Sequence, residues 1–278
     1  VKIIRVFPRK TRATPTDELV RINCGPELWD EADEVHLSVA FTWDLPRAEW
    51  LAKQWAHVAP VKIGGPATGE RSGDFIPGMY LKRGYVITSR GCPNHCWFCS
   101  VPKREGNIRE LYITEGWNVL DDNILACSDE HIAAVLEMLR IQNRLIEFTG
   151  GLEAARLKPW MAHAMKKLRI GQMFFAYDTP DDQIPLWRAG EILKDAGFKT
   201  HPHSHSLRCF VLCGYHNDSI PSAEARMKDT MRAGFTPMAM LWRDEDGKYD
   251  REWRQFQRQW VRPGLIYKRG QHEDSNNR

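Results

Sequence analysis

Three of the seven cysteines in this chain lie within eight positions: Cys92, Cys96 and Cys99, spaced C-x-x-x-C-x-x-C. Thiolates this close can converge on one metal centre. A closed zinc site takes four tetrahedral protein ligands. His95 is available as the fourth, but neighbouring residues in so tight a loop present four ligands poorly. Iron–sulfur clusters are commonly held by four cysteines. Three would leave one iron open to another ligand. Trp97 and Phe98, inside the same loop, offer ring faces suited to stacking on a planar base.

Other polar groups fall just after apolar, β-rich runs. Asp121, Asp122 and Asn123 follow Trp117–Leu120. Gly150, Gly151 and Glu153 follow Leu145–Thr149, and Asp178 ends Met173–Asp178. Each has a plain alternative as a turn or a helix start. Cys209 and Cys213 share a strand face and, with Cys127, can be read as a second cluster site; buried small hydrophobes are the favoured reading. His201, His203 and His205 alternate, which suits a metal site or, better, a solvated loop. Arg251, Arg254, Arg258 and Arg262 form one stripe at about 100° per residue, with Trp253, Phe256 and Trp260 opposite. The stripe reads as a solvated helix face, with phosphate contact as the sharper alternative.

Behind these groups the elements alternate. Strands are expected at 85–89, 117–124, 145–149, 173–178, 205–213 and 237–242. Helices separate them, one capped by Ser128 and carrying Ile132, Val135, Leu136 and Leu139 on one face, another capped by Ser222. Asp195–Phe198 and Arg232–Phe235 echo each other as helix ends with glycine at the cap. Six strand–helix repeats argue for a parallel sheet, and a partial (β/α)6 barrel fits them. The polar groups then sit at the carboxyl ends of strands, where such barrels do their chemistry. Ahead of them, strands at 1–7 and 35–41, a helix capped by Asp44, and Val61–Ile63 running into Gly64-Gly65 form a small α/β module.

The run Gly91–Pro102 resembles the cluster loop of the radical S-adenosylmethionine (radical SAM) superfamily, with Phe98 as its aromatic before the last cysteine. That resemblance implies a [4Fe-4S] cluster on Cys92, Cys96 and Cys99, with SAM chelating the open iron. It implies the partial-barrel fold, reductive cleavage of SAM to a 5′-deoxyadenosyl radical, hydrogen abstraction from an unidentified substrate, and a flavodoxin- or ferredoxin-type electron donor. The implied SAM contacts are Phe98, Gly150, Gly151, Glu153 (amino group), Arg156 (carboxylate), Asp122 and Asp178. The match after the third strand is Gly-Gly-x-Glu, one residue longer than the commoner Gly-Gly-Glu. The N-terminal module resembles a remnant of a cobalamin-binding domain. It lacks the D-x-H-x-x-G motif, and His36 sits inside a strand, so no cobalamin is expected.

The implied domains are 1–78 (α/β module), 79–250 (barrel) and 251–278 (amphipathic helix and tail). With 278 residues, 42% hydrophobic, the chain can bury a substantial core. A net charge of +3 neither requires nor excludes a nucleic-acid partner, small-molecule and nucleic-acid substrates both stay open, and no apolar run reaches the roughly 20 residues of a membrane span. Odd, clustered cysteines point to a reducing compartment, read as cytoplasmic. The alternative to an enzyme is a non-catalytic, metal-stabilised module that binds nucleic acid.

Overall fold

The structure is a computed structural model and describes residues 1–200, 205–261 and Ile266. His201, His203 and Arg262 of the sequence reading lie outside the described residues. The chain divides into two compact units, Val1–Gly116 with Glu245–Gly247, and Trp117–Asp244 with the segment from Lys248.

In the first unit, β1 (Ile3–Phe7), β2 (Val20–Ile22), β3 (Glu34–Ser38) and β4 (Val61–Gly64) form a wholly parallel sheet in the order β2–β1–β3–β4. Helix α1 (Leu45–Trp55) buries Ala48, Leu51 and Trp55 against it, the i, i+3, i+7 face expected from sequence. Asp44 does not cap this helix with its side chain. Both of its oxygens take hydrogen bonds from Arg9, at 2.7 and 2.8 Å, because a guanidinium fork satisfies a carboxylate more fully than one backbone N–H. The strand expected at 85–89 splits into β5 (Tyr85–Val86) and β6 (Ser89–Arg90). β6 pairs antiparallel with β7 (Arg109–Glu110), and this ladder brackets the cysteine loop and the short helix α2 (Val101–Glu105).

The second unit holds β8 (Asn118–Val119), β9 (Ile146–Leu152), β10 (Ile170–Ala176), β11 (Leu207–Cys213) and β12 (Thr236–Leu241). They pair in parallel in the order β12–β11–β10–β9–β8. Between and after them run α3 (Asp129–Ile141), α4 (Pro159–Lys166), α5 (Gln183–Asp195), α6 (Ile220–Arg232) and α7 (Arg251–Trp260). Ser128 caps α3 through His131 N, as expected. Ser219, not Ser222, caps α6: Pro221 belongs in the first turn, and Ser222 N is the donor that Ser219 accepts.

Burial alternates along β11. Leu207, Cys209, Val211 and Cys213 are buried, while Arg208, Phe210 and Leu212 are half-buried. Phe175 on β10 stands on the buried face against Phe235, their ring centroids 5.1 Å apart. Phe174 and Phe210 stack on the other face. Phe175→Ala should therefore cost about 3–5 kcal/mol in denaturant unfolding, and Phe210→Ala markedly less. Equal losses for the two variants would mean that both sheet faces are sealed alike.

Candidate functional site

The cysteine loop is tied at its stem. Cys92 N donates to Gly106 O at 3.1 Å, and Cys99 N to Cys96 O at 3.1 Å. Glu105, its side chain wholly buried, anchors the far end. It accepts from Ser72 Oγ at 2.6 Å and Arg104 Nε at 3.0 Å, with Arg109 at 3.7 Å. Burial works against its charge, but the Ser72 and Arg104 hydrogen bonds prevail and hold its pKa below the ordinary carboxylate value. The loop crest is open: Cys96 is exposed, Cys92 and Cys99 are half-buried, and His95 is exposed. Half-buried Phe98 meets Trp97 edge-on at 5.3 Å. Among the described residues no three His, Cys, Asp or Glu side chains are gathered tightly enough to hold one ion.

At the carboxyl end of β9 the chain does something the sequence pattern blurred. Met173 pairs with Phe148, yet Phe175 pairs with Leu152, so four steps along β9 match two along β10. Thr149-Gly150-Gly151 faces Phe174 alone, a surplus of two residues that makes an irregular bulge. Leu152, the residue that lengthens the glycine motif, resumes the pairing just after it. Gly150 runs against the chain that follows β8: a Cβ on it would stand 2.0 Å from Asp121 O. Gly151 has φ +96°, and the space its Cβ would occupy is open.

The bulge delivers Glu153 to a shared hydrogen-bond point. Glu153 Oε2 accepts from Asn123 Nδ2 at 2.6 Å and from Arg156 Nε at 2.6 Å. Asp121 and Asn123 are buried beside it, and Asp122 is half-buried. Gly150, Gly151, Glu153 and Arg156 thus form one constellation with the Asp121–Asn123 turn. Arg156 is committed to Glu153 as well as being partly open to solvent.

Asp178 stands apart from that constellation, past the end of β10, and accepts from Leu212 N on β11 at 3.1 Å. Burial, with the Asp182 carboxylate close by, pushes its pKa up to about 7. Asp182 itself is held in a capping box with Thr179. Burial likewise raises Tyr177 and Cys213 to about 12, and Cys209 well above its ordinary value. These two thiols stay protonated at neutral pH, as buried hydrophobes rather than ligands. Arg251, Arg254 and Arg258 are exposed on α7, opposite buried Phe256 and Trp260. Sequence reasoning passed over two groups. One is Glu105, whose burial nothing local announces. The other is Arg208, a single cation inside the apolar run Leu207–Cys213, which was the available signal.

No family model and no curated protein matches the sequence. Solved structures do match the fold. TsrM, a radical S-adenosylmethionine methyltransferase from Kitasatospora setae with cobalamin and a [4Fe-4S] cluster bound, aligns with a TM-score of 0.60 at 11% identity, over 86% of this chain and 74% of that one. TsrM with tryptophan substrate and the SAM analogue aza-SAM bound aligns at 0.57 and 11% identity, over 87% and 72%. The expectation of no cobalamin is corrected by this neighbour, in which a protein of this fold carries that cofactor. The absent D-x-H-x-x-G motif was a poor ground for it, because one axial ligand is a small part of a corrinoid site. The chain has a mixed α/β, parallel-sheet fold like that of a radical SAM methyltransferase.

Proposed function

We propose that this chain is a radical SAM enzyme with a partial (β/α)6 barrel, and that its N-terminal module, residues 1–78, takes cobalamin. The observation that carries the reading is a three-cysteine loop in a chain with this fold. When bound, a reduced [4Fe-4S] cluster supplies the electron that cleaves SAM to methionine and a 5′-deoxyadenosyl radical able to abstract hydrogen, and cobalamin supplies a methyl carrier. The electron would come from a flavodoxin- or ferredoxin-type partner.

The chain's own residues suit these groups. Cys92, Cys96 and Cys99 supply a three-thiolate donor set within eight positions of one loop. Phe98 offers a ring face beside the adenine. The open space over Gly151 admits SAM against the β9 backbone. Glu153 has its Oε2 filled by Asn123 and Arg156, so its Oε1 is the acceptor for an ammonium. Arg156 supplies positive charge for a carboxylate, and Asp122 an acceptor for ribose hydroxyls. Asp178 holds a proton at neutral pH and can exchange it with substrate.

For cobalamin, the sheet order reverses between β1 and β3, which places a ligand crevice at the carboxyl ends of those strands. Gly64 and Gly69 there have open space where a Cβ would stand. No axial imidazole comes from His36. Its Nδ1 meets Tyr80 OH at 2.6 Å and its Nε2 meets Glu34 Oε2 at 2.7 Å.

Anaerobic reconstitution should give close to four irons per chain, and addition of SAM with reductant should release 5′-deoxyadenosine. Cys96→Ala should lose both. Gly151→Ala should keep the iron and bind SAM more weakly. A chain that takes up no iron, or full turnover in Cys96→Ala, would refute the reading. Hydroxocobalamin should bind the purified chain, and His36→Ala should leave the absorption bands of the bound corrinoid unshifted; a shift would reinstate His36 as a ligand.

The Asp178 pKa makes a prediction with a definite sign. Its folded value of about 7 lies above the ordinary one near 4, so the fold favours the protonated form. The stability this contributes is complete below about pH 4 and is lost as pH rises through 7. Asp178→Asn should therefore gain stability relative to the parent chain between pH 4 and pH 8, read as the difference in denaturant midpoints. A difference that is flat with pH would show that Asp178 ionises freely in the folded chain.

A further inference from the structure

The sheet of the second unit has one face packed and one face half open. On the second face, parallel pairing sets buried Phe174 beside half-buried Arg208 and Arg208 beside buried Thr236, and farther along sets half-buried Phe210 beside Met238 and Leu212 beside exposed Met240, so the row opens toward the carboxyl ends. Arg208 is the cation of this row. Its guanidinium carbon lies 5.2 Å from the centre of the Phe174 ring, and that ring stacks on Phe210 at 4.5 Å. Among the described residues Arg208 has no carboxylate partner. Its Nε is buried with no acceptor, and burial alone lowers its pKa. Buried Arg5 and Arg226 are paired, with Asp17 and with Asp218 at 2.9 Å respectively. A half-buried guanidinium with no carboxylate partner among the described residues is costly unless something else supplies the anion.

We infer that Arg208 binds the carboxylate of a small monoanionic substrate whose apolar body lies along Phe210, Leu212, Met238 and Met240. A single positive charge matches a monoanion better than a phosphate dianion. The planar guanidinium fork suits a carboxylate, and the stacked phenyl rings suit a planar or aromatic body. Length follows from the strand. From Arg208 to Leu212 is four residues, about 13 Å at 3.3 Å per residue. The acid group therefore lies at the amino-terminal part of β11, and the far end of the molecule reaches the carboxyl ends of the strands. Met240, 40% exposed, marks that end as accessible. This inference rests on reading the carboxyl ends as the place of chemistry, but the binding it requires does not depend on the cluster.

The test uses 6-phenylhexanoate as probe on the full chain, before and after cluster reconstitution, with binding read by titration calorimetry. The acid should bind saturably at millimolar concentration or below, and its neutral amide about tenfold more weakly or worse, as loss of a charge-assisted hydrogen bond demands. Arg208→Gln should lose the acid by a similar factor, and Arg208→Lys should keep part of it. Equal binding of acid and amide, unchanged affinity in Arg208→Gln, or no saturable binding at millimolar probe would each overturn the assignment. If Arg208→Gln fails to fold, the acid–amide comparison on the parent chain decides alone. A chain that binds the acid yet takes up no iron would keep this inference and lose the proposed radical chemistry. The converse would do the reverse.

Discussion

The second unit is built around one close approach. Gly150 lies so near Asp121 that a Cβ would come within 2.0 Å of a backbone oxygen. No other residue type lets the chain after β8 and the end of β9 pass at that distance. The bulge at Thr149–Gly151 is the consequence, since a regular ladder would continue to stack β9 on β10 residue by residue. From the bulge follow the open space over Gly151, the turn that brings Glu153 to Asn123, and the ion pair with Arg156. Three side chains with chemistry, Glu153, Asn123 and Arg156, are thus positioned by one glycine that has none.

The same sheet separates packing from chemistry by the period of two along its strands. On one face Phe148, Phe175, Val211 and Ala239 are buried. The cysteines of that face share their fate: desolvation raises the pKa of Cys209 and Cys213 and keeps both as neutral thiols, the nearby Arg226 charge on Cys213 notwithstanding. The Arg226 charge is itself met locally. Arg226 reaches Asp218 at 2.9 Å and Leu212 O at 2.9 Å, and so ties the β11–α6 loop to the sheet. Asp178 lacks such a cation in contact, and burial raises its pKa to about 7 instead. Asp182, at the same strand end, is held by the capping box with Thr179.

Periodic features were legible in the sequence. The β/α alternation and the buried face of α3 rest on short-range pattern. What escaped it was set by distant partners. Asp44 reads as a cap until Arg9, far away in sequence, claims both oxygens. Val20–Ile22 is too short for an alternation to register, and is a strand only because β1 pairs with it. The bulge at Thr149–Gly151 is a relation between two strands and is invisible in one. Cobalamin was set aside for want of a motif, although the evidence that bears on it is a strand order.

The two metal readings of the cysteine loop can be separated by what the surrounding residues do. A structural zinc site is a folding device: its ligands are preassembled, usually inside the element they staple. Here the stapling is done without metal. The β6–β7 ladder and buried Glu105, with Ser72, Arg104 and Arg109 around it, close the base of the loop. Cys96 is exposed at the crest, and Cys92 and Cys99 are half-buried. The shape of the base is therefore set by hydrogen bonds and ion pairs within the chain and does not wait on a metal.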